Sequence, residues 1–206
     1  MAILNIAPTK SGLLTLSRQL AIAQEGYDLL DQKRQILSFE LMSRLKRARD
    51  IERKVDSALS LAFTALQEAA LDVGSRALDQ AALAVRSNPG VTLDSRHLMG
   101  LRLPRVSAKA ATPGLPFGVG GTSANTDVAM KRFMEVLPLL AELAEMQTSI
   151  LRLAAELRRT QRRCNALDKI FIPNYRQTMT YITATLEERE RESFVITRMI
   201  RDRLSA

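Results

Sequence analysis

Tryptophan is absent, cysteine and histidine occur once each, and only nine of the 206 residues are aromatic. A compact core built on large rings is therefore not expected. The lone Cys164 excludes an internal disulfide, and without a Cys-x-x-Cys pair there is no sign of a zinc site, which favours a reducing, cytoplasmic setting. His97 has no Cys or second His near it, so packing or solvation is expected of it rather than ligation or base chemistry. No apolar run reaches ~18 residues, so no span across or insertion into a membrane is expected. The start, MAILNIAPTK, lacks a basic region leading into an apolar one, so no signal peptide is expected.

A P-loop pattern is also missing. The GVGG at Gly118 to Gly121 has no lysine and no strand–helix frame, and it reads as a turn rather than a phosphate cradle. Carboxylates are common but alternate with arginine along helical stretches, where no concavity would shift their pKa values. No cofactor or metal is expected, and the chain reads as non-catalytic.

What is abundant is Ala, Leu, Arg, Glu, Gln and Met, the strong helix formers of long helices and coiled coils. Net charge is +8 with a pI near 10.1, a balance that suits nucleic acid, an anionic membrane surface or an acidic protein surface.

Residues 1–12 read as a lead-in and 13–86 as one long helix, started by a cap at Thr9 or Ser11 and stopped by SNPG at Ser87 to Gly90. Steps of three or four pick out Leu16, Leu20, Ala23, Tyr27, Leu30, Arg34, Leu37, Leu41, Leu45, Ala48, Ile51, Val55, Ala58, Ala62, Leu66, Ala69 and Val73, apolar except for Arg34. Fifty-seven residues in 16 steps give about 3.56 per step, between a heptad and a straight helix. That predicts a weakly left-handed supercoil, with one four-residue insertion near Leu41 to Leu45. A single narrow stripe predicts one main partner helix.

Residues 87–126 hold most of the prolines and six of the nine glycines, and read as a loop or short hairpin. Leu101 and Leu103 alternating with Arg102 and a nearby Arg105 suggest short strands. Helical spacing returns over 127–206, through Val136, Leu140, Leu143, Ile150, Leu153, Leu157, Cys164, Leu167 and Phe171, then Tyr175, Met179, Ile182 and Leu186. Kinks are expected near Pro138 and Pro173, because a proline inside a helix lacks the N–H and crowds the carbonyl four residues back, costing ~3 kcal/mol. The expected fold is all-α: a long, left-handed, antiparallel two-helix coiled coil with an irregular or short hairpin middle.

Three charged stretches stand out. RLKRARDIERK spaces Arg44, Arg47 and Lys54 along the first helix, and LRRTQRR puts Arg158, Arg159, Arg162 and Arg163 within six residues. Both read either as solvated coiled-coil surface or as partner contacts. LEERERES, carrying Glu187, Glu188, Arg189, Glu190 and Arg191, leans towards contact, because the stripe positions Arg189 and Ser193 are polar there. Glu187–Arg191 is a favourable i,i+4 pair, worth ~0.2–0.5 kcal/mol.

At three places the sequence resembles a known family. APTKSGLLTLSRQLAIAQEGYDLLDQKRQIL, Ala7 to Leu37, is similar to the opening of the D subunit of the V-type (archaeal/vacuolar-type) ATPases, with Pro8, Thr9, Lys10, Leu13, Leu14, Leu16, Leu20, Ala23, Gly26, Leu29, Leu30, Lys33 and Arg34 fitting its pattern. RRCNALDKIFIP, Arg162 to Pro173, resembles a second signature and LEERERESF a third. The middle, 87–126, matches no motif, and the tail beyond Arg201 is short for the family.

The resemblance implies the central rotor shaft of a V-type ATPase or ATP synthase, peripheral on the membrane and coupling nucleotide turnover to rotation and ion transport. Its implied partners are the catalytic and regulatory head subunits (A and B), the small F subunit of the stalk and a funnel-shaped subunit (C or d) on the membrane ring. Pro8, Thr9, Lys10 and Arg34, with the three charged stretches, are the expected contacts, and Pro173 the expected helix break that makes the shaft eccentric. Two alternatives are the stalk of a secretion or flagellar export ATPase and a nucleic-acid-binding coiled coil. No aromatic residues interleave with the basic belts, which speaks against nucleic acid.

Overall fold

The computed structural model describes residues 6–84, 90–109 and 122–204. In chain order they form α1 (Lys10–Val73), α2 (Ser75–Ala84), β1 (Gly90–Leu98), β2 (Leu101–Lys109), α3 (Ala124–Ala166), a five-residue π turn (Leu167–Phe171) and α4 (Ile172–Leu204). GVGG lies outside the described residues. The fold is all-α, a two-helix hairpin with a small two-stranded sheet in its middle.

Thr9 caps α1: its Oγ1 accepts from the Gly12 N–H at 3.1 Å, satisfying one of the donors that a helix start leaves unpaired. The cap folds the lead-in tightly over the first turn. A Cβ on Gly12 would lie 2.9 Å from the Ala7 carbonyl oxygen, so this turn accepts only glycine without rearranging. All seventeen positions of the predicted stripe are buried or half-buried. Leu16 and Leu37 are fully so, each burial worth ~1.5–3 kcal/mol.

The helix expected over 13–86 is divided at Gly74. Its φ of +83° is the left-handed conformation that glycine adopts freely, and it ends α1 before α2 begins one residue later. In the second half, Pro138 sits inside α3 without ending it. The helix departs from α geometry before Pro173, over Leu167–Phe171, where the Ile172 N–H donates to the Leu167 carbonyl. One extra residue is thereby wound into the turn ahead of Pro173, which occupies the second position of α4. The wider turn meets the proline without requiring its missing N–H.

The chain divides into two compact units, Met1–Ile36 with Glu156–Ala206, and Leu37–Ala155. In the first, the early part of α1 runs antiparallel to the end of α3 and to α4. Lys33 pairs with Glu156 at 3.0 Å and Lys10 with Glu190 at 2.7 Å. Leu16, Ala23, Cys164 and Ile182 are buried here. Thr160 and Thr178 are buried too, and Thr178 Oγ1 donates back to the Asn174 carbonyl at 2.7 Å.

In the second unit the rest of α1 packs antiparallel to α3. Phe63 meets Phe133 edge-on with centroids 5.5 Å apart, and Asn125 Nδ2 donates to Asp72 at 2.6 Å. Ala65, Ala69 and Ala129 form a small-residue core closed by Leu66 and Leu78. β1 and β2 pair antiparallel in register Leu98↔Leu101 to Gly90↔Lys109. Their two-residue turn has φ of 49° at Met99 and 81° at Gly100, the double positive φ that matches strand twist in tight hairpins. Leu103 is the strands' buried residue.

Candidate interaction surfaces

No group of three or more His, Cys, Asp or Glu that could hold a metal ion occurs among the described residues. No helix among them is long and apolar enough to cross a membrane. Cys164 is 2% exposed, and burial pushes its thiol pKa up, away from the thiolate that a nucleophile needs. His97 is exposed on β1.

One surface is the outer face of α3 near its end. Arg158, Arg159, Arg162 and Arg163 are all exposed, and only Arg159 has an ion pair among the described residues, a long one of 4.0 Å to Glu156. Like charges at i,i+4 oppose one another on a helix. The sequence repeats that arrangement in 158/162 and 159/163, so the helix carries a repulsion that an anionic partner would relieve.

Arg34 belongs elsewhere. It occupies the stripe of α1, half-buried, with Nη2 2.6 Å from Asp31 Oδ1 and Nη1 donating to Gln161 Oε1 at 3.2 Å. Its partners are internal, and they put a charged layer into the seam, a device that fixes helix register. Tyr27 lies in the same layer, and the nearby Asp168 carboxylate raises its pKa first of all. Arg44 is similarly withdrawn, its side chain 11% exposed and paired with Glu40 at 2.8 Å, whereas Arg47 and Lys54 are exposed.

The lead-in and the start of α1 meet α4 in the first unit. Pro8 is half-buried and its carbonyl accepts from Arg189 Nη1 at 3.0 Å, while Thr9 and Lys10 are exposed. The Glu190 carboxylate raises the Lys10 pKa by a hydrogen bond and by its charge, and Lys10 lowers that of Glu190 in the same way. Glu187, Glu188 and Arg191 are exposed, with Arg191 3.4 Å from Glu188 and 4.0 Å from Glu187. Beyond this tie α4 has no helix beside it among the described residues. Every residue from Arg191 to Leu204 is exposed, including Phe194, Val195, Ile196, Met199, Ile200 and Leu204. The stripe that resumes at Ile196, Ile200 and Leu204 is therefore bare.

Sequence reasoning missed one further feature of the same unit. At the π turn, Gln19, Ile22, Ala23, Gly26, Leu167, Phe171 and Tyr175 line a shallow apolar groove of about 360 Å³. Gly26 opens its floor, since a Cβ there would meet nothing within 4 Å. A signal was present in the pairing of Gly26 with the short apolar run before Pro173.

The sequence matches the family of ATP synthase D subunits over residues 12–202. It is 37% identical over 202 residues to the A-type ATP synthase D subunit of Methanosphaera stadtmanae, covering 95% of this chain and 93% of the relative. The A-type ATP synthase D subunit of Thermococcus gammatolerans is 36% identical over 197 residues, 93% of this chain and 91% of its own. The V-type ATP synthase D subunit of Thermotoga neapolitana is 30% identical over 202 residues, 98% of this chain and all of its own.

Proposed function

Because this chain belongs to the family of ATP synthase D subunits, we propose that it is the non-catalytic central-stalk rotor component of an A/V-type ATP synthase. It couples nucleotide turnover in a hexameric head to rotation of a membrane ring and to ion transport. The observation that carries this reading is the bare end of α4: Arg191 to Leu204 are exposed, with six large apolar side chains and no helix among the described residues against them. Apolar surface on that scale calls for a partner. A ring of A and B subunits offers the enclosing cavity, and the paired chain ends enter it together.

The mechanism follows from symmetry. The first unit is a pair of helices, and a pair has no threefold axis. Inside a ring of three catalytic interfaces it touches each one differently, so each angular position favours a different pattern of open and closed sites. That is a coupling free energy between shaft angle and nucleotide occupancy. The small F subunit of the stalk and the funnel-shaped subunit of the membrane ring are the remaining partners on this reading, and the exposed arginines of α3, with Arg47 and Lys54, are the contacts available to acidic surfaces. The complex places the chain on the cytoplasmic side, peripheral to the membrane. A match running from residue 12 to residue 202 favours this role over an export-ATPase stalk or a nucleic-acid-binding coiled coil.

The test is to assemble the head with the full chain, without it, and with a chain ending at Glu190. ATP turnover and rotation are then measured. The full chain should drive processive rotation, the shortened one should slip, and the head alone should turn over nucleotide without rotating anything. Equal rotation and coupling with the shortened chain would overturn the role given to the end of α4.

A further inference from the structure

The two edges of the β1–β2 ribbon are finished differently. In an antiparallel pair, directly opposed residues alternate between those that bond each other and those whose N–H and C=O point outward. On β2 the outward set is fixed by two bonds to α3: the Val106 N–H donates to Glu145 Oε2 at 2.7 Å, and the Arg102 carbonyl accepts from Arg152 Nη1 at 2.6 Å. Pro104, between them, has no N–H to leave unpaired. The outer edge of β2 is thus closed by a helix and a proline.

The register carries the same alternation to β1. Val91, Leu93, Ser95 and His97 stand opposite Ala108, Val106, Pro104 and Arg102, so their backbone groups also point outward. Of these, the Ser95 N–H is taken by the neighbouring Asp94 carboxylate at 2.7 Å. The others have no partner among the described residues, and β1 is exposed from Gly90 to His97. An edge nine residues long, with no proline and no bulge, is a template for strand addition that proteins normally blunt. Here one edge is blunted and the other is not.

The side chains narrow the occupant. Val91 and Leu93 project on one face, 50% and 76% exposed. On the other face Asp94 stands opposite Arg105, while Arg96 stands opposite Leu103 and makes no ion pair among the described residues. With Arg102, the ribbon carries three arginines against one aspartate. We propose that the open edge of β1 receives an extended segment of an acidic partner protein of the complex, added as a third strand. Its apolar side chains lie against Val91 and Leu93 and a carboxylate lies against Arg96. The backbone bonds provide the attachment and the alternation of apolar and acidic residues provides the selectivity.

The experiment is single-residue amide hydrogen exchange on the full chain alone and within the assembled ATP synthase. In the isolated chain, the amides of Val91, Leu93 and His97 should exchange quickly and those of Thr92, Asp94 and Arg96 slowly. In the assembly the first three should slow by about tenfold or more, and Arg96→Glu should return them to fast exchange while the inward three stay slow. Outward amides equally fast in the assembly would overturn the proposal, as would protection that survives Arg96→Glu. Protection in the isolated chain that grows with its concentration would overturn it too, by assigning the edge to a second copy. Rotation is measured separately, so failure here leaves the stalk reading untouched.

Discussion

The Lys10 ammonium lies 2.7 Å from the Glu190 carboxylate, and immediately beyond it α4 is exposed from Arg191 to Leu204. Both side chains are largely exposed, so the pair ties the start of α1 to α4 without adding much to stability. Lys10 has a raised pKa, so its contribution is complete below the ordinary lysine range and is lost as pH rises through its folded value. Glu190 has a lowered pKa, so its contribution is complete above the ordinary carboxylate range and is lost as pH falls through its folded value. Lys10→Ala should therefore cause only a slight loss of stability at neutral pH. The difference from wild type should vanish in strong acid, in strong base and in high salt. Thermal melts of both proteins across pH check this; a difference unchanged at every pH would mean the effect is not electrostatic.

Two glycines of α1 should respond oppositely to the same change. Gly12→Ala forces a Cβ to within 2.9 Å of the Ala7 carbonyl oxygen and 3.1 Å of Thr9 Oγ1, displacing the cap. A loss of about 1 kcal/mol is expected. Gly26→Ala meets nothing, and should stabilise the helix by about 0.5–1 kcal/mol. Urea unfolding of the two variants gives both signs in one experiment.

Ser149 is fully buried, and its hydroxyl has no hydrogen-bond partner among the described residues. Replacing it with alanine removes an unsatisfied polar group at little cost in volume. Ser149→Ala should raise stability by about 1 kcal/mol. A loss of stability in urea unfolding would mean that the hydroxyl is bonded in solution.

Pro173→Ala restores an N–H that can reach the Lys169 carbonyl, and so removes the reason for the wide turn at Leu167–Phe171. Burial of Thr178 and Ile182 opposes rewinding, which would swing them out of the seam by about 100°. Stability should accordingly change by less than about 1.5 kcal/mol, while ATP-driven torque in the assembled complex falls. Unchanged torque and coupling would dismiss a mechanical role for the proline.

Much of the fold is written in one period. Every position of the α1 stripe, from Leu16 to Val73, is at least half-buried, because a single partner face rewards apolar residues spaced by about 3.6. The strands are visible in the alternation around Leu101 and Leu103, where side chains leave opposite faces of the ribbon.

What escapes the sequence has physical reasons as well. Gly74 breaks the helix, yet Gly26 does not, and the difference is a positive φ at Gly74 that the residue type permits but does not dictate. The π turn adds a single residue, which shifts the face of everything after it without altering composition. Thr178 is buried beside the half-buried Met179 that apolar spacing selects, because a search for apolar residues passes over a threonine. Thr160 and Ser149 are buried at stripe positions that a search for apolar residues skips. Among the expected contacts, Arg34 and Arg44 are instead held by their own helix, where the carboxylates of Asp31 and Glu40 pair with them three and four residues away.

The solitary buried thiol has a practical meaning. Cys164 is shielded, and its burial holds it in the unreactive protonated form. A cysteine introduced at an open position such as Lys54 would then be the one site that maleimide dyes or bead tethers find in the native protein. Probes could be fixed to chosen points along the helices with the wild-type background left in place.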